Sequence, residues 1–217
     1  MRLLFTGRWQ VTPDIVSFTF RPEVPVSWLA GQSIRLELPA PDYGTNERRF
    51  TISSAPFERD ITVTTRLSDS EFKQSLFGLE PGAVVDGYGI QGDFVWRGER
   101  PVWVASGIGI TPFYSMLKQR LHDTGMANVT LMYGGNSGQL AFVPELMAWQ
   151  RVRPEFGLRL LDRPLDAAVL DGQDLVGRQI YISGSERLVQ QLRQDFIARN
   201  GLDASQIQTD LFTGQVP

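Results

Sequence analysis

Two patterns of apolar spacing divide the chain near residue 97. Before it, apolar and polar positions alternate in short runs. Val16, Phe18 and Phe20 alternate with Ser17, Thr19 and Arg21, the mark of a half-buried strand. Similar runs cover residues 3–9, 33–39, 48–54, 61–67 and 83–88. Thr12-Pro13-Asp14, a proline-containing connection over 22–28, Gly31-Gln32 and Pro81-Gly82 separate them. Residues 71–79 are the single helix-like insert. Six short strands at this spacing predict a small closed antiparallel barrel.

After the charged, glycine-containing stretch Arg97-Gly98-Glu99-Arg100, strands alternate with helices. Apolar runs over 102–105, 129–133, 157–161, 179–183 and 207–212 read as strands, and 112–122, 144–151 and 185–200 as helices. The last helix carries Leu188, Leu192 and Phe196 in register. Such βαβ alternation predicts a parallel sheet with ligands beyond its C-terminal strand ends.

Ser106-Gly107-Ile108-Gly109-Ile110-Thr111-Pro112 lies on one of those ends, between a strand and the helix that buries Phe113, Met116, Leu117 and Leu121. Gly107 and Gly109 permit close approach to the backbone. Thr111 suits an N-cap and Pro112 the first helical position. The free N–H groups at the positive helix end then suit a pyrophosphate. The same glycines would equally serve a turn that only packs helix against strand. Tyr133-Gly134-Gly135 and Ser183-Gly184-Ser185 end neighbouring strands. Asn136 and Ser137 follow where a ribose-binding carboxylate is usual, and Arg163 is available to a phosphate. In the barrel half, Arg48 to Ser54 sets an arginine, an aromatic ring and three hydroxyls along one strand. Those groups suit a phosphate-bearing aromatic ligand, although a surface arginine on an ordinary strand has the same appearance.

Composition narrows the chemistry. The 217 residues carry a net charge of −3, which argues against a nucleic-acid footprint. No cysteine is present and His122 is the one histidine. Thiolate catalysis, a cysteine-held cluster of this chain and a His/Cys zinc site are excluded. No apolar run approaches the roughly 20 residues of a membrane span. The start has no signal-peptide character, so a cytoplasmic protein without a metal site is expected. The five tryptophans are expected in the core or between domains, and Glu145 as a first-turn helix acid.

Gly31-Gln32, Arg48-Arg49-Phe50-Thr51, Leu76 to Gly82, Gly89 to Phe94, Gly107 to Pro112, Phe142 to Leu146 and Asp210 to Gly214 resemble, in order, the motifs of the ferredoxin–NADP⁺ reductase superfamily. The resemblance covers nearly the whole chain. It implies a six-stranded antiparallel Greek-key β-barrel that binds FAD over 1–97, and a parallel-sheet α/β domain that binds NAD(P)H over 98–217. Arg48 would pair with flavin phosphates, Phe50 would pack on the flavin, and the Thr51 hydroxyl would sit near N5. Ile52, Ser53, Ser54, Thr64 and Lys73 would complete the flavin site, FAD being preferred to FMN. Gly107, Gly109, Ile110, Thr111, Pro112, Tyr133, Gly134, Gly184 and Phe212 would hold cofactor, and Ser183 would line the nicotinamide pocket as a catalytic residue.

The chain also departs from that pattern. Lys73 stands where the family has Ser or Thr, Ile90 where it has Pro, Ser183 where it has Cys and Gln215 where it has an aromatic residue. The implied reaction passes hydride from NAD(P)H to flavin, then electrons to an external ferredoxin, flavodoxin or oxygenase component. A reductase of free flavin and a flavin-binding subunit without turnover remain the alternatives.

Overall fold

A computed structural model describes residues 1–39, 45–123, 128–135 and 140–212. Asn136, Ser137 and Gln215 lie outside the described residues. Strands β1 (Arg2–Thr12), β2 (Ile15–Pro22), β3 (Ser33–Pro39), β4 (Thr45–Thr51), β5 (Ile61–Arg66) and β6 (Val84–Gln91) form an antiparallel sheet in the order β4-β3-β6-β1-β2-β5. Its two edges meet through an isolated bridge, Ile52 to Val63, which curls the sheet into a barrel. Phe5, Phe18, Phe20, Ile34, Leu36 and Val63 fill the interior, and helix α1 (Glu71–Phe77) adds Phe72 and Leu76. β4 ends earlier than the alternation predicts. The Ser53 amide donates to the Thr62 carbonyl, and the Ser54 hydroxyl accepts from the Thr62 amide, so the chain leaves the ladder there.

Strands β7 (Val102–Ser106), β8 (Thr130–Gly134), β9 (Gly157–Leu161), β10 (Ile180–Ser185) and β11 (Ile207–Phe212) form a parallel sheet in the order β11-β10-β7-β8-β9. Alternate side chains on each strand face opposite sides. Trp103 and Leu131 therefore meet Phe113, Met116 and Leu117 of helix α2 (Thr111–Asp123) and Leu146 of helix α3 (Val143–Val152). On the other face Val104, Met132 and Ile182 meet Val189, Leu192 and Phe196 of helix α4 (Glu186–Asn200). Leu188, expected on that stripe, is only partly buried.

Helix α2 also joins the two sheets. The Ser115 hydroxyl donates to the Ser54 carbonyl at 2.7 Å, and Lys118 pairs with Glu58 at 2.5 Å. The Phe57 amide donates to Gln119 at 3.2 Å, and the His122 ring stacks on Phe57 at 4.2 Å. A Cβ on Gly31 would meet the Phe94 carbonyl oxygen at 2.2 Å and the Met116 methyl at 2.4 Å, so barrel and helix touch there with no room for a side chain. Trp28 and Trp103 are buried as expected, but Trp9 is 48% exposed because it sits on the projecting β1–β2 hairpin. No helix among the described residues is long and apolar enough to cross a membrane.

Candidate active site

A cleft of about 470 Å³ opens between the barrel and the C-terminal ends of the parallel strands. Four consecutive residues of β4 reach it: Arg48, Arg49, Phe50 and Thr51. β5 contributes Thr64, Thr65 and Arg66, and α1 with its approach contributes Ser68, Ser70 and Lys73. The parallel sheet supplies Ser106 at the end of β7, Gly107 and Ile108 from the following 3₁₀ turn, Thr111, Ser185 and Phe212. Four cationic side chains and eight hydroxyls thus share the cleft with two aromatic rings, and among the described residues no carboxylate lines it.

Each cation is aimed by a partner. Arg48 donates to the Asn46 side chain at 3.0 Å and to the Glu47 carbonyl at 2.8 Å, and its guanidinium lies 5.9 Å from the Phe72 ring centre. Arg49 donates to the Ser33 hydroxyl at 2.9 Å, and Arg66 pairs with Asp14. Lys73 donates to the Arg66 carbonyl at 2.6 Å. Burial, followed by repulsion from Arg66, holds the Lys73 ammonium below its ordinary value of 10.5. An arginine has five N–H donors, so the contacts of Arg48 and Arg49 leave others for an anion. This donor set fits a phosphate-bearing cofactor with a flat ring system.

The glycine turn has two different sides. Gly107 has a left-handed φ of +53°, and a Cβ there would meet nothing nearer than Arg66 at 3.8 Å. Its face is open to the cleft. A Cβ on Gly109 would lie 2.2 Å from the Ser183 carbonyl oxygen. Gly109 is therefore the packing glycine, pressed against β10. The turn continues directly into α2, so Thr111 is not an N-cap. It has helical angles, φ −57° and ψ −45°, and its hydroxyl donates to the Ile108 carbonyl at 3.1 Å.

Arg48, Phe50, Thr51, Thr64, Lys73, Gly107, Thr111 and Phe212 are brought together by the cleft. The other residues expected at the site stand behind it. Ile52 is in the barrel core, and Ile110 and Pro112 are buried under the turn. The Tyr133 hydroxyl donates to the Gly107 carbonyl at 3.0 Å and accepts from the Ala141 amide at 2.8 Å, bracing the turn. Gly134 packs against Leu165, and Gly184 against Ser106. Ser53 and Ser54 hydrogen-bond to β5. Arg163 is held by Asp166 at 2.6 Å.

Ser183 is fully buried, and its hydroxyl donates to Asp210 at 3.2 Å. The parallel register of β10 and β11 sets these two residues side by side. Burial raises the Asp210 carboxyl to about 6, and the Ser183 hydrogen bond offsets part of that rise. Residue order names Asp210 only as the start of a motif; that its carboxyl is buried within β11 beside Ser183 is visible only in the fold. Arg49 and Arg66 were missed as cleft residues, because they occupy strand positions that sequence assigns to ordinary surface charge, whereas Ser185 lies on a strand end that the sequence does single out.

A barrel and a parallel α/β sheet that share a cationic, hydroxyl-rich cleft define a two-part nucleotide-binding fold of the oxidoreductase kind. Residues 103–194 match the family model described as an oxidoreductase NAD-binding domain. Over 110 residues, 48% of this chain and 45% of the other, the sequence is 34% identical to ferredoxin–NADP reductase B of Sorangium cellulosum. Over 133 residues, 59% and 50% of the two chains, it is 31% identical to a probable dihydroorotate dehydrogenase B (NAD(+)) electron transfer subunit of Thermococcus kodakarensis. A third relative, methane monooxygenase component C of Methylosinus trichosporium, is 28% identical over 63% of this chain and 41% of that one. The chain spans about half the length of these curated relatives.

Among solved structures, the fold matches a flavohemoglobin from Malassezia yamatoensis with bound FAD and heme, with a TM-score of 0.85, 18% identity and coverage of 98% of this chain and 60% of that one. It also matches the FAD/NAD-binding domain of a nitric oxide dioxygenase from Vibrio cholerae, with a TM-score of 0.81, 20% identity and coverage of 97% and 98%. Residues 103–194 are thus similar to an oxidoreductase NAD-binding domain, and the whole chain shares its two-part fold with FAD/NAD-binding structures.

Proposed function

We propose that this chain is an FAD-containing reductase that takes hydride from NAD(P)H and passes electrons to an external protein carrier. The observation that carries the reading is the cleft itself: four cations and, among the described residues, no carboxylate, placed opposite the open face of the glycine turn. Residues 1–97 are proposed as the flavin unit and 98–217 as the nucleotide unit. A cytoplasmic setting is proposed on the absence of cysteine.

In this reading Arg48, Arg49, Arg66 and Lys73 hold the flavin phosphates, and an arriving anion relieves the strain on the Lys73 ammonium. Phe50 and Phe212 flank the flat ring system and exclude water from it. The Thr51 hydroxyl orients a ring nitrogen. Gly107 and the start of α2 present N–H groups to the dinucleotide's pyrophosphate. Ser183 holds the Asp210 carboxyl beside the nicotinamide end of the cleft. When bound, the flavin supplies hydride acceptance followed by single-electron release. Two relatives, named as a ferredoxin–NADP reductase and as an electron transfer subunit, support an external acceptor.

The test is anaerobic. The purified protein is expected to be yellow, and NADH or NADPH is expected to bleach it, which also reads the nucleotide preference. A yellow protein bleached by neither would sink the enzyme reading and favour a flavin-binding subunit. A colourless protein that oxidises NAD(P)H only with added flavin would replace it by a free-flavin reductase.

A further inference from the structure

The outer face of the barrel carries a buried chain of hydroxyls that the cofactor-holding residues do not explain. Ser17 and Thr64 face each other across β2 and β5 with their oxygens 2.8 Å apart. Thr64 is also 2.8 Å from the Ser53 hydroxyl, which lies 3.1 Å from the Thr62 carbonyl. Ser17, Ser53 and Thr64 are 0%, 2% and 4% exposed. Thr64 belongs to the wall of the main cleft. Ser17 and Ser53 belong to the wall of a second, smaller pocket of about 80 Å³ behind it. Glu58, Lys118, Glu145 and Tyr114 line the far side of that pocket, with Trp9 at its rim. Burial, Glu145 and Glu58 together keep the Tyr114 phenol protonated.

A hydroxyl both donates and accepts, so a chain of them can pass protons by exchange without moving any heavy atom. The small pocket has volume for roughly two or three waters at about 30 Å³ each, and polar partners to hold them. Lys118 and Glu58 lead from it to solvent, at 20% and 30% side-chain exposure. If the hydroxyls served only strand pairing, the simple couple Thr19–Thr62 at 3.0 Å would be the model. Thr64 instead is shared by two partners that both open into the same pocket.

We propose that Ser17, Thr64 and Ser53 form a proton relay between the cofactor cleft and the Glu58–Lys118–Glu145 pocket. The relay rests on the reductase reading above. Hydride brings two electrons and one hydrogen into the cleft. When a one-electron protein carrier has removed both electrons, that hydrogen is left as a proton, and its N–H bond breaks. A nicotinamide ring stacked in the cleft displaces water from the mouth, so the proton leaves through the wall. Thr64 accepts it on oxygen while its own proton moves to Ser53 or Ser17. The next transfer delivers a proton to water or a carboxylate in the small pocket, and from there to solvent. Return of the hydroxyl protons to their starting positions resets the chain, with no net change in the protein.

Two measurements test this on the purified protein. The first follows hydroxyl-proton exchange by NMR, with and without flavin, in the wild type and in Ser17→Ala/Ser53→Ala. Fast exchange at Thr64 is expected in the wild type, slowed at least about tenfold in the double variant. Slowly exchanging, sharp hydroxyl resonances in the wild type would overturn the relay. The second uses the flavin-loaded protein with a pH indicator. The double variant is expected to release its proton about tenfold more slowly on ferricyanide oxidation with NAD(P)⁺ bound, and with a larger solvent isotope effect, while bleaching by NAD(P)H stays within about twofold, because hydride carries its own hydrogen. Equal slowing of both phases, or of neither, would overturn the relay and mark a packing role. Thr64→Val, which keeps shape and removes the shared oxygen, is expected to slow proton release at least as much. Failure of NAD(P)H to bleach the flavin would sink the reductase reading alone, since hydroxyl exchange still decides whether the chain conducts.

Discussion

Asp210→Asn removes the one carboxyl among the described residues whose ionisation the fold opposes. Its folded value of about 6 lies above the ordinary 3.8. The folded state therefore binds more protons than the unfolded chain between those two values. Stability falls as pH rises through that window, and the loss is complete above the folded value. At 1.36 kcal/mol per unit the difference of about 2.2 units corresponds to about 3 kcal/mol. This is a ceiling, because one flank of the residue still touches solvent. Asparagine keeps an oxygen for the Ser183 hydroxyl but cannot ionise, so the variant lacks this term at any pH. Any cost of an unpartnered amide is the same at each pH and cancels when two pH values are compared. The variant should gain up to about 3 kcal/mol on the wild type between pH 4 and pH 8, seen as about 6–12 °C in Tm for a chain of this size. Thermal unfolding followed by circular dichroism at four or five pH values reads it directly. Parallel stability curves for the two proteins would refute the reasoning.

Three further outcomes are expected. Gly109→Ala forces a methyl into the Ser183 carbonyl and should cost about 3 kcal/mol or more, whereas Gly107→Ala has space and carries only left-handed strain of about 1–2 kcal/mol; denaturant midpoints that fail to separate the two would contradict the two-sided turn. Arg48→Gln and Lys73→Met should each weaken flavin retention about tenfold or more, measured by fluorescence on dilution; undiminished retention would remove the phosphates from this end of the cleft. Lys118→Met should cost about 1 kcal/mol, by removing the pair to Glu58 between helix and barrel, and less in 1 M salt, where the wild-type pair is itself screened; a salt-independent cost would assign the effect to packing.

The division into two sheets was readable because alternation and helical spacing produce different patterns over runs long enough to distinguish. The glycine turn was readable for the same reason, although not which glycine faces the cleft. That distinction depends on the Ser183 carbonyl, which comes from a strand more than seventy residues later. Ser17 illustrates the opposite limit. Its place on the outer face of β2 followed from alternation, which pointed to solvent. The structure buries it completely because the barrel's outer face is covered by the second half of the chain. Asp210 and Ser183 are 27 residues apart, and only the parallel register of two strands joins them. Lys73 was seen as a departure from the family pattern; its bond to the Arg66 carbonyl depends on how α1 approaches β5.

Helix α2 begins at the glycine turn, fills the core of the parallel sheet with Phe113, Met116 and Leu117, and reaches the barrel through Ser115, Lys118 and Gln119. The two halves are consequently poor candidates for exchange as modules. A nucleotide unit grafted from a relative would bring its own α2, and with it a face made for another barrel. The graft would fold around its own sheet yet set the turn at a different height above the β4 arginines. A working chimera of this architecture has to carry the contact surface of α2 together with the barrel it fits, so the natural unit of inheritance cuts through the middle of a helix's side chains, not along the backbone between domains.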